Sequence, residues 1–254
     1  MELRPATDNT ASDTLVFSVA VNGYHWRYRR LLNTQKQYAE RHGYHYVVID
    51  RPLFSVLGNE TAWLKLSIAR WALESGYQRV FYIDADAEVR DTTPALDTII
   101  EADKSIYAAR GYSGRINSGV LLFVNTPAAR GFLDKVIDNI DTPLPIEDDV
   151  GWGENGHIIH FLHNEFAFYE LPATWNNNHS PDLIDYIRHY SAGPLRKYYS
   201  PAWLDRVAFI GLSWPARLLR AMSRLASPVP KVSVVLPLLT ARVVSRFRNL
   251  QNRK

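Results

Sequence analysis

The chain has 254 residues, of which 46% are hydrophobic and 22% charged, a composition that can bury a sizeable core and excludes global disorder and fibrous classes. It contains no cysteine, which excludes disulfide scaffolds, thiol catalysis and thiolate-bound zinc. The formal charge of +3 conceals an asymmetry: residues 201–254 hold ten basic residues and one acidic residue, so residues 1–200 carry a net charge of −6. This asymmetry indicates a polyanionic partner for the C-terminal part.

Apolar strand-like runs alternate with segments of helical spacing along most of the chain. Strands are predicted at 14–21, 45–50, 80–83, 105–109, 119–124, 166–170 and 184–190, and helices at 28–42, 60–74, 127–139 and 154–163. The run 80–83 is wholly apolar, which is typical of a strand buried on both faces. The alternation predicts an α/β sheet flanked by helices, with ligands at the carboxyl ends of its strands.

Three regions follow from this pattern. Residues 1–13 are polar and predict a flexible N-terminus, residues 14–200 predict one domain, and residues 201–254 predict a basic tail. The N-terminal residues lack the apolar segment of a secretory signal, and no apolar run approaches the length of a membrane span, about 20 residues. We therefore expect a cytoplasmic protein.

Two carboxylates, Asp84 and Asp86, directly follow the buried strand at 80–83. At this spacing both side chains lie on the same side, where they can converge on one cation. Two aspartates so placed are common by chance, and the alternative interpretation is a strand end followed by a polar turn. Their position at the carboxyl end of a strand favours a ligand site.

Two more groups of polar residues could belong to the same site. Asn117 and Ser118 lead through a glycine into an apolar strand, and that glycine would let backbone approach a ligand closely; an ordinary turn is the alternative. His189 lies at the end of the last predicted strand, and a glycine and two cations follow it: Gly193, Arg196 and Lys197. A lone histidine is more often structural, but this one could bind a metal while the cations bind phosphates.

Six short elements in this order resemble glycosyltransferase family eight, the glycogenin-like and bacterial lipopolysaccharide galactosyltransferase-like enzymes. They are 61–66, 80–87 with Asp84-Ala85-Asp86 as the DxD motif, 117–120, 152–158, 171–176 and 189–197. Glu154-Asn155-Gly156 stands where the family has DQD, and the last element has longer spacings than the family's HxxGxxK. The resemblance implies a GT-A fold with a mixed sheet, a UDP-sugar donor and Mn²⁺ or Mg²⁺.

The resemblance also implies a role for each matched residue. Asp84, Asp86 and His189 would hold the metal, whose charge neutralises the leaving diphosphate. Oxygen and imidazole ligands suit Mn²⁺ or Mg²⁺, and Lys65 and Lys197 would add positive charge. The remaining donor contacts would come from Ala20, Val21, Asn22, Ala85, Asn117, Ser118 and Gly193, with Tyr24 and Asp50 as alternatives for the nucleoside.

Four residues are candidates for the polar group beside the anomeric carbon of the donor sugar. If the reaction retains stereochemistry, Glu154 or Asn155 is the candidate. If the reaction inverts it, a general base is needed, and Asp148, Asp149 or Glu154 could serve. The acidic run that contains Asp148 and Asp149 could equally be a solvated loop.

The C-terminal tail contains two segments predicted to be basic amphipathic helices. The first begins with Ser213 as its N-cap and sets Arg217, Arg220 and Arg224 against an apolar face, and the second covers about 238–250. Such helices are typical of membrane interfaces, where each basic residue contributes about 1 kcal/mol near anionic lipid. We predict that residues 203–254 attach the protein to the cytoplasmic face of a membrane. The alternative is a helical pair packed on the domain, and no nucleic acid is expected because the apolar faces would then be unexplained.

These residues predict a metal-dependent glycosyltransferase that extends a saccharide or lipid-linked acceptor in cell-surface glycan synthesis, such as lipopolysaccharide or capsule. One alternative is a phosphatase of the haloacid dehalogenase type, with Asp84 as nucleophile and Asp148 and Asp149 as metal ligands. Another is a membrane- or carbohydrate-binding module without catalysis.

Overall fold

The computed structural model describes residues 12–55, 57–151, 153–226 and 230–247. Its eight strands are β1 (Thr14–Val19), β2 (His45–Ile49), β3 (Arg79–Ile83), β4 (Ala87–Val89), β5 (Ile106–Arg110), β6 (Ile116–Val124), β7 (Phe168–Leu171) and β8 (Ile187–His189). Six of them form a sheet in the order β2-β1-β3-β6-β5-β7, and β4 pairs with β8 in a second sheet. The seven α-helices within the described ranges are α1 (Tyr24–Arg27), α2 (Arg29–Arg41), α3 (Glu60–Glu74), α4 (Pro127–Asp138), α5 (Asn155–Leu162), α6 (Trp203–Ala226) and α7 (Val232–Arg246).

The large sheet is mixed, as predicted. Strand β1 runs parallel to β2 and β3, whereas β6 runs antiparallel to β3 and β5, and β7 runs parallel to β5. Because β6 is reversed, its beginning meets the end of β3, where the N–H of Asp84 donates to the carbonyl of Gly119 at 2.7 Å. The sheet thereby places the segment 117–119 beside the DxD turn.

Strand β3 lies in the interior of the sheet and is buried on both faces. Val80 and Tyr82 pack into the larger hydrophobic cluster, and Phe81 and Ile83 pack into the cluster on the opposite face. Alternate side chains of a strand point to opposite faces, so a strand covered on both sides is apolar at every position. Burial of β3 on both faces of the sheet explains the continuous apolar run at 80–83.

The two-stranded sheet brings a distant segment to the DxD turn. Ala87 on β4 pairs with His189 on β8, and the N–H of Tyr190 donates to the carbonyl of Asp86 at 2.9 Å. The strand predicted at 184–190 is shorter than expected, because Ile184 is 90% exposed and strand pairing begins at Ile187. The short pairing is enough to fix the backbone of His189.

The tail helices begin earlier than predicted. Ser213, the predicted N-cap, lies inside α6, where its hydroxyl donates to the carbonyl of Ile210. The predicted start was wrong because 203–212 already has helical amphipathic spacing, and Pro215 removes one hydrogen bond without ending the helix. Helix α7 likewise runs through Pro237 and begins before residue 238.

Some predictions concern residues that the structure does not describe. They are those for residues 1–11, Trp152, the side chains of 223–226 and residues 248–254.

The two tail helices have different surroundings. Leu236, Leu239 and Val243 of α7 belong to the larger hydrophobic cluster of the domain, so α7 packs on the body, the alternative considered for the tail. Helix α6 instead exposes large apolar residues, including Trp203 and Trp214, which are 73% and 69% exposed. Among the described residues, no helix has both the length and the apolar character needed to cross a membrane.

Candidate active site

A cavity of about 810 Å³ opens where β1 and β3 end and β6 begins. Its position is the one that an open α/β sheet offers to ligands, because polar side chains after neighbouring strands meet there. The residues predicted from the sequence that line this cavity are Val21, Asn22, Tyr24, Lys65, Asp84, Ala85, Asp86, Asn117, Ser118, Glu154, Asn155 and His189. Several segments far apart along the chain therefore contribute to one cavity.

Asp84, Asp86 and His189 form a compact cluster in the cavity wall. One ligand atom from each lies within 4.8 Å of the others. Nε2 of His189 is 3.1 Å from Oδ1 of Asp86 and 3.5 Å from Oδ2 of Asp84. Two carboxylates and an imidazole, without thiolate, suit Mn²⁺ or Mg²⁺, so the donor set fits the divalent cation that the resemblance implies.

Two neighbours determine the position of His189. Nδ1–H of His189 donates to Oδ1 of Asn176 at 2.9 Å, and the amide nitrogen of Asn176 donates to Asn117. Because this amide is oriented by its own donation, its oxygen accepts from Nδ1–H, and Nε2, which faces Asp86, could donate its lone pair to a metal. Gly119 supplies the space, since a Cβ there would lie 2.6 Å from Nδ1 of His189 and 2.8 Å from Oδ2 of Asp84.

The three groups also shift one another's protonation. Burial raises the pKa of Asp84, against the attraction of Lys65 and His189. Burial acts in the same direction on Asp86, but the charges of His189 and Arg196 lower the pKa of that carboxyl below its usual value. Burial disfavours the imidazolium, yet Asp86 raises the pKa of His189. Shifted pKa values concentrated in a cavity wall are typical of a functional site.

A buried ion pair supports the next part of the cavity. Nζ of Lys65 is 2.5 Å from Oε1 of Glu154, and both side chains are at most 5% exposed. The same ammonium donates to the carbonyl and the hydroxyl of Ser118 at 2.9 and 3.0 Å, and the Ser118 hydroxyl donates to Glu154 at 2.5 Å. The N–H of Ser118 donates to Oδ1 of Asn155 at 2.8 Å. These contacts hold the beginning of β6 against α3 and α5.

The loop after β1 forms another part of the lining. The Asn22 side chain is fixed by Ser55, donating to its hydroxyl at 2.8 Å and accepting from its N–H at 2.9 Å. The rings of Tyr24 and Tyr28 stack with centroids 5.7 Å apart, and both residues line the cavity. Flat aromatic faces beside polar groups suit a nucleoside.

Three predicted donor-site residues are absent from the described lining of this cavity. Ala20 is fully buried, and its N–H donates to the carbonyl of Ile49 at 2.8 Å. It therefore anchors the loop after β1 to the end of β2 and does not face the cavity. Gly193 approaches the ring of Tyr112, with 2.9 Å between a Cβ built on it and Cδ1. Lys197 is exposed, with its ammonium 5.1 Å from the ring centroid of Tyr198.

Two of the four candidates for the group beside the anomeric carbon also lie elsewhere. Asp148 accepts hydrogen bonds from His160 and His163, both at 2.7 Å, and lines a separate cavity of about 390 Å³. Asp149 accepts from the N–H of Gly151 at 2.7 Å. The phosphatase alternative requires Asp84 and Asp148 in one site, and the geometry does not support it.

Sequence reasoning missed several residues that hold the DxD turn. The Tyr82 hydroxyl donates to Oδ1 of Asp84, and Nε2 of Gln35 donates to the carbonyls of Asp84 and Ala87 at 2.9 and 2.8 Å. Arg196, considered for phosphate, donates instead to Oδ2 of Asp86 at 3.1 Å. Tyr82 precedes the motif by two residues and could have been found by its spacing, whereas Gln35 lies on a distant helix and carries no local signal.

The fold is that of solved glycosyltransferases. A glycosyltransferase involved in the glycosylation of the major capsid of PBCV-1 superposes with a TM-score of 0.58 at 12% identity, covering 77% of this chain and 98% of that chain. At such low sequence identity the similarity concerns the fold alone. The GT-A glycosyltransferase fold that the motifs predicted is confirmed.

Other solved structures match less well. The galactosyltransferase LgtC in complex with donor and acceptor sugar analogs has a TM-score of 0.47 at 14% identity, covering 80% of this chain and 95% of that chain. The glycosyltransferase GlyE of Streptococcus pneumoniae TIGR4 has a TM-score of 0.46 at 14% identity, covering 87% of this chain and 66% of that chain. No family model and no curated protein sequence matches the chain.

Proposed function

We propose that this protein is a metal-dependent glycosyltransferase that transfers a sugar from a UDP-sugar to a hydroxyl of a saccharide or glycolipid. The observation that carries the proposal is the cluster of Asp84, Asp86 and His189 in the wall of a cavity of about 810 Å³. A cavity of this size accommodates a nucleotide sugar. The acceptor would belong to cell-surface glycan synthesis.

In this reaction the bond between the anomeric carbon and the diphosphate oxygen breaks, and a bond from the anomeric carbon to the acceptor oxygen forms. The acceptor O–H bond also breaks, and its proton passes to the leaving diphosphate. Negative charge develops on the leaving diphosphate, and a divalent cation would stabilise it as a Lewis acid. The chain's own part is to hold Asp84, Asp86 and Nε2 of His189 in a fixed arrangement before the donor arrives, and Asn176 contributes by orienting the imidazole.

Glu154 is the candidate for the acidic group near the sugar. It lines the cavity together with Asn155, whereas Asp148 and Asp149 are not among the described lining residues. The Lys65 ammonium at 2.5 Å balances an ionised Glu154 carboxylate. An ionised Glu154 would stabilise positive charge that develops on the sugar ring. Asn155, bound to the N–H of Ser118, would hold the beginning of β6 in position.

Substitution of a single metal ligand tests the proposal. Wild-type protein is expected to gain about 5–10 °C in melting temperature with Mn²⁺ and UDP at 100 times Kd. Asp86→Asn is expected to lose this gain and the turnover of UDP-sugars, since one charged ligand is removed. The measurement is thermal unfolding with UDP, ADP, GDP and CDP, each with and without Mn²⁺, followed by hydrolysis of UDP-sugars.

The matched control is Asp91→Asn, because the side chain of Asp91 is 97% exposed at the surface. It should respond to UDP and Mn²⁺ as wild type does. An Asp86→Asn response equal to wild type would contradict the metal site. Absence of any nucleotide response in wild type would contradict the proposed function, and release of phosphate from a phosphomonoester would favour the phosphatase.

We also infer that α6 attaches the protein to the anionic, cytoplasmic face of a membrane. Its apolar stripe consists of residues spaced three or four apart and at least 45% exposed: Trp203, Val207, Ile210, Trp214 and Leu218. Arg206 and Arg217 are exposed on the same helix. Aromatic and aliphatic residues beside arginines are the pattern of a helix lying in the membrane interface.

Loss of two tryptophans should weaken membrane binding. Trp203→Ser/Trp214→Ser is expected to reduce the partition coefficient onto phosphatidylcholine/phosphatidylserine vesicles about tenfold or more, because two interfacial side chains are removed. Sedimentation with vesicles measures it. Phe166→Ser/Ile184→Ser is the control, because these exposed apolar residues lie outside the tail. Equal sedimentation of both variants and wild type would contradict the inference. Deletion of 203–254 is unsuitable, since it removes Leu236, Leu239 and Val243 from the core.

A further inference from the structure

The inner face of α6 packs on the loop that lines the cavity. A Cβ built on Gly23 would lie 3.0 Å from Cβ of Leu212, and the rings of Tyr24 and Phe209 meet edge to face at 5.3 Å. Asp205, near the start of α6, pairs with Arg29 at 3.1 Å. The helix that carries the exposed apolar stripe is thus also part of the wall around the candidate active site.

One arginine of this inner face enters the cavity. Arg220 is half-buried and lines the cavity, and its Nε donates to the carbonyl of Ala216 at 3.1 Å. Its Nη1 lies beside Gly58, where a built Cβ would be 2.6 Å away. Gly58 precedes α3, whose amino end is the positive end of the helix dipole and lies on the same side of the cavity. The sequence had placed Arg220 on a solvent- or lipid-facing basic face, and the structure turns it inward.

The charges of the side chains that line the cavity indicate a role for Arg220. Among the described residues that line the cavity, Lys65 and Arg220 carry the permanent positive charges, against the carboxylates of Asp84, Asp86 and Glu154. Lys65 is already neutralised by Glu154 at 2.5 Å. Asp84 and Asp86 then remain, and Arg196 contacts Asp86 at 3.1 Å. A divalent cation would balance these two carboxylates, and Arg220 adds positive charge on the Gly58 side of the cavity, where it would attract a diphosphate.

We propose that Arg220 binds the diphosphate of the nucleotide-sugar donor, so that α6 completes the donor site as well as presenting the apolar stripe. This inference rests on the proposed function. A guanidinium supplies paired, charge-assisted hydrogen bonds to phosphate oxygens. It takes over the role that the sequence assigned to Lys197, which is exposed beside Tyr198.

The test compares four full-length proteins by calorimetric titration with UDP in the presence of Mn²⁺. Arg220→Gln is expected to bind UDP about tenfold more weakly, the effect of one charge-assisted hydrogen bond. Arg220→Lys should recover part of the loss, because it keeps the charge. Arg217→Gln is the matched control: it removes an arginine one turn earlier on the same helix, where the side chain is exposed. Uridine, which has no phosphate, should bind Arg220→Gln and wild type equally.

Each outcome has a distinct meaning. UDP binding by Arg220→Gln at wild-type strength would overturn the inference while leaving the proposed function intact. Equal weakening in Arg217→Gln, or equal loss of uridine binding, would also overturn it, since the effect would then come from general charge or altered folding. If wild-type protein binds neither UDP nor ADP, GDP or CDP with Mn²⁺, the proposed function fails and the inference fails with it.

Discussion

Gly119→Ala is expected to lower metal-dependent UDP binding and sugar transfer about 100-fold, the effect of displacing a catalytic group by about 1 Å. The added Cβ would lie 2.6 Å from Nδ1 of His189 and 2.8 Å from Oδ2 of Asp84. His189 cannot retreat freely, because it is bonded to Asn176 and only 1% exposed. The Asp84 carboxylate is held by the hydroxyl of Tyr82. The methyl group would therefore separate two of the three proposed metal ligands.

Gly131→Ala provides the control for this substitution. Gly131 lies inside α4, and nothing lies within 4 Å of a Cβ built on it. Alanine is favoured over glycine by about 0.5–1 kcal/mol inside a helix, so this variant should be unchanged or slightly more stable and fully active. Titration with Mn²⁺ and UDP, together with urea unfolding, separates the loss of the site from a loss of stability. Normal Mn²⁺-dependent binding by Gly119→Ala would contradict the geometry of the cluster.

Lys65→Met is expected to lower the free energy of unfolding by about 3–5 kcal/mol, the cost of leaving one partner of a buried ion pair uncompensated. Glu154, at most 3% exposed, would lose the ammonium at 2.5 Å, and Ser118 would lose two hydrogen bonds from the same group. Urea unfolding measures the loss. The double variant Lys65→Met/Glu154→Gln should recover part of it, because the unpaired charge is removed as well.

A surface pair of the same chemistry is the control. Lys36 and Glu40 lie 3.5 Å apart on α2, with side chains 57% and 62% exposed, and Lys36→Met should change stability by less than about 1 kcal/mol. If Lys65→Met is no more destabilising than Lys36→Met, the buried pair does not hold α3, α5 and β6 together. If the double variant is no more stable than Lys65→Met, the unpaired carboxylate is not the source of the loss.

The tail shows how one helix can serve two surfaces. Successive residues of α6 rotate by about 100°, so the exposed stripe through Trp203 and Trp214 and the inner residues Phe209 and Arg220 lie on different sides of the helix. The net charge of +9 over residues 201–254 therefore has two uses in our proposals. Exposed arginines face anionic lipid, and Arg220 faces the anionic part of the donor.

Local patterns in the sequence determined much of this protein. The apolar run at 80–83 predicted a buried strand because every position of such a strand meets a core. Asp84 and Asp86 directly follow it, and their spacing predicted that both side chains lie on the same side. Gly119 was recognisable as a point of close approach. The mixed sheet and the candidate metal ligands were within reach of the sequence because these signals come from neighbouring residues or from a motif of fixed order.

Only the tertiary structure decided which distant groups meet. The pairing of β4 with β8 carries His189 to Asp86 across 103 positions of the chain, and Asn176 then sets which imidazole nitrogen faces the carboxylates. The same is true of the ion pair between Lys65 and Glu154 and of the inward direction of Arg220. Contacts of this kind depend on how whole elements pack, and a periodic pattern states which face of a helix is apolar without stating what covers it.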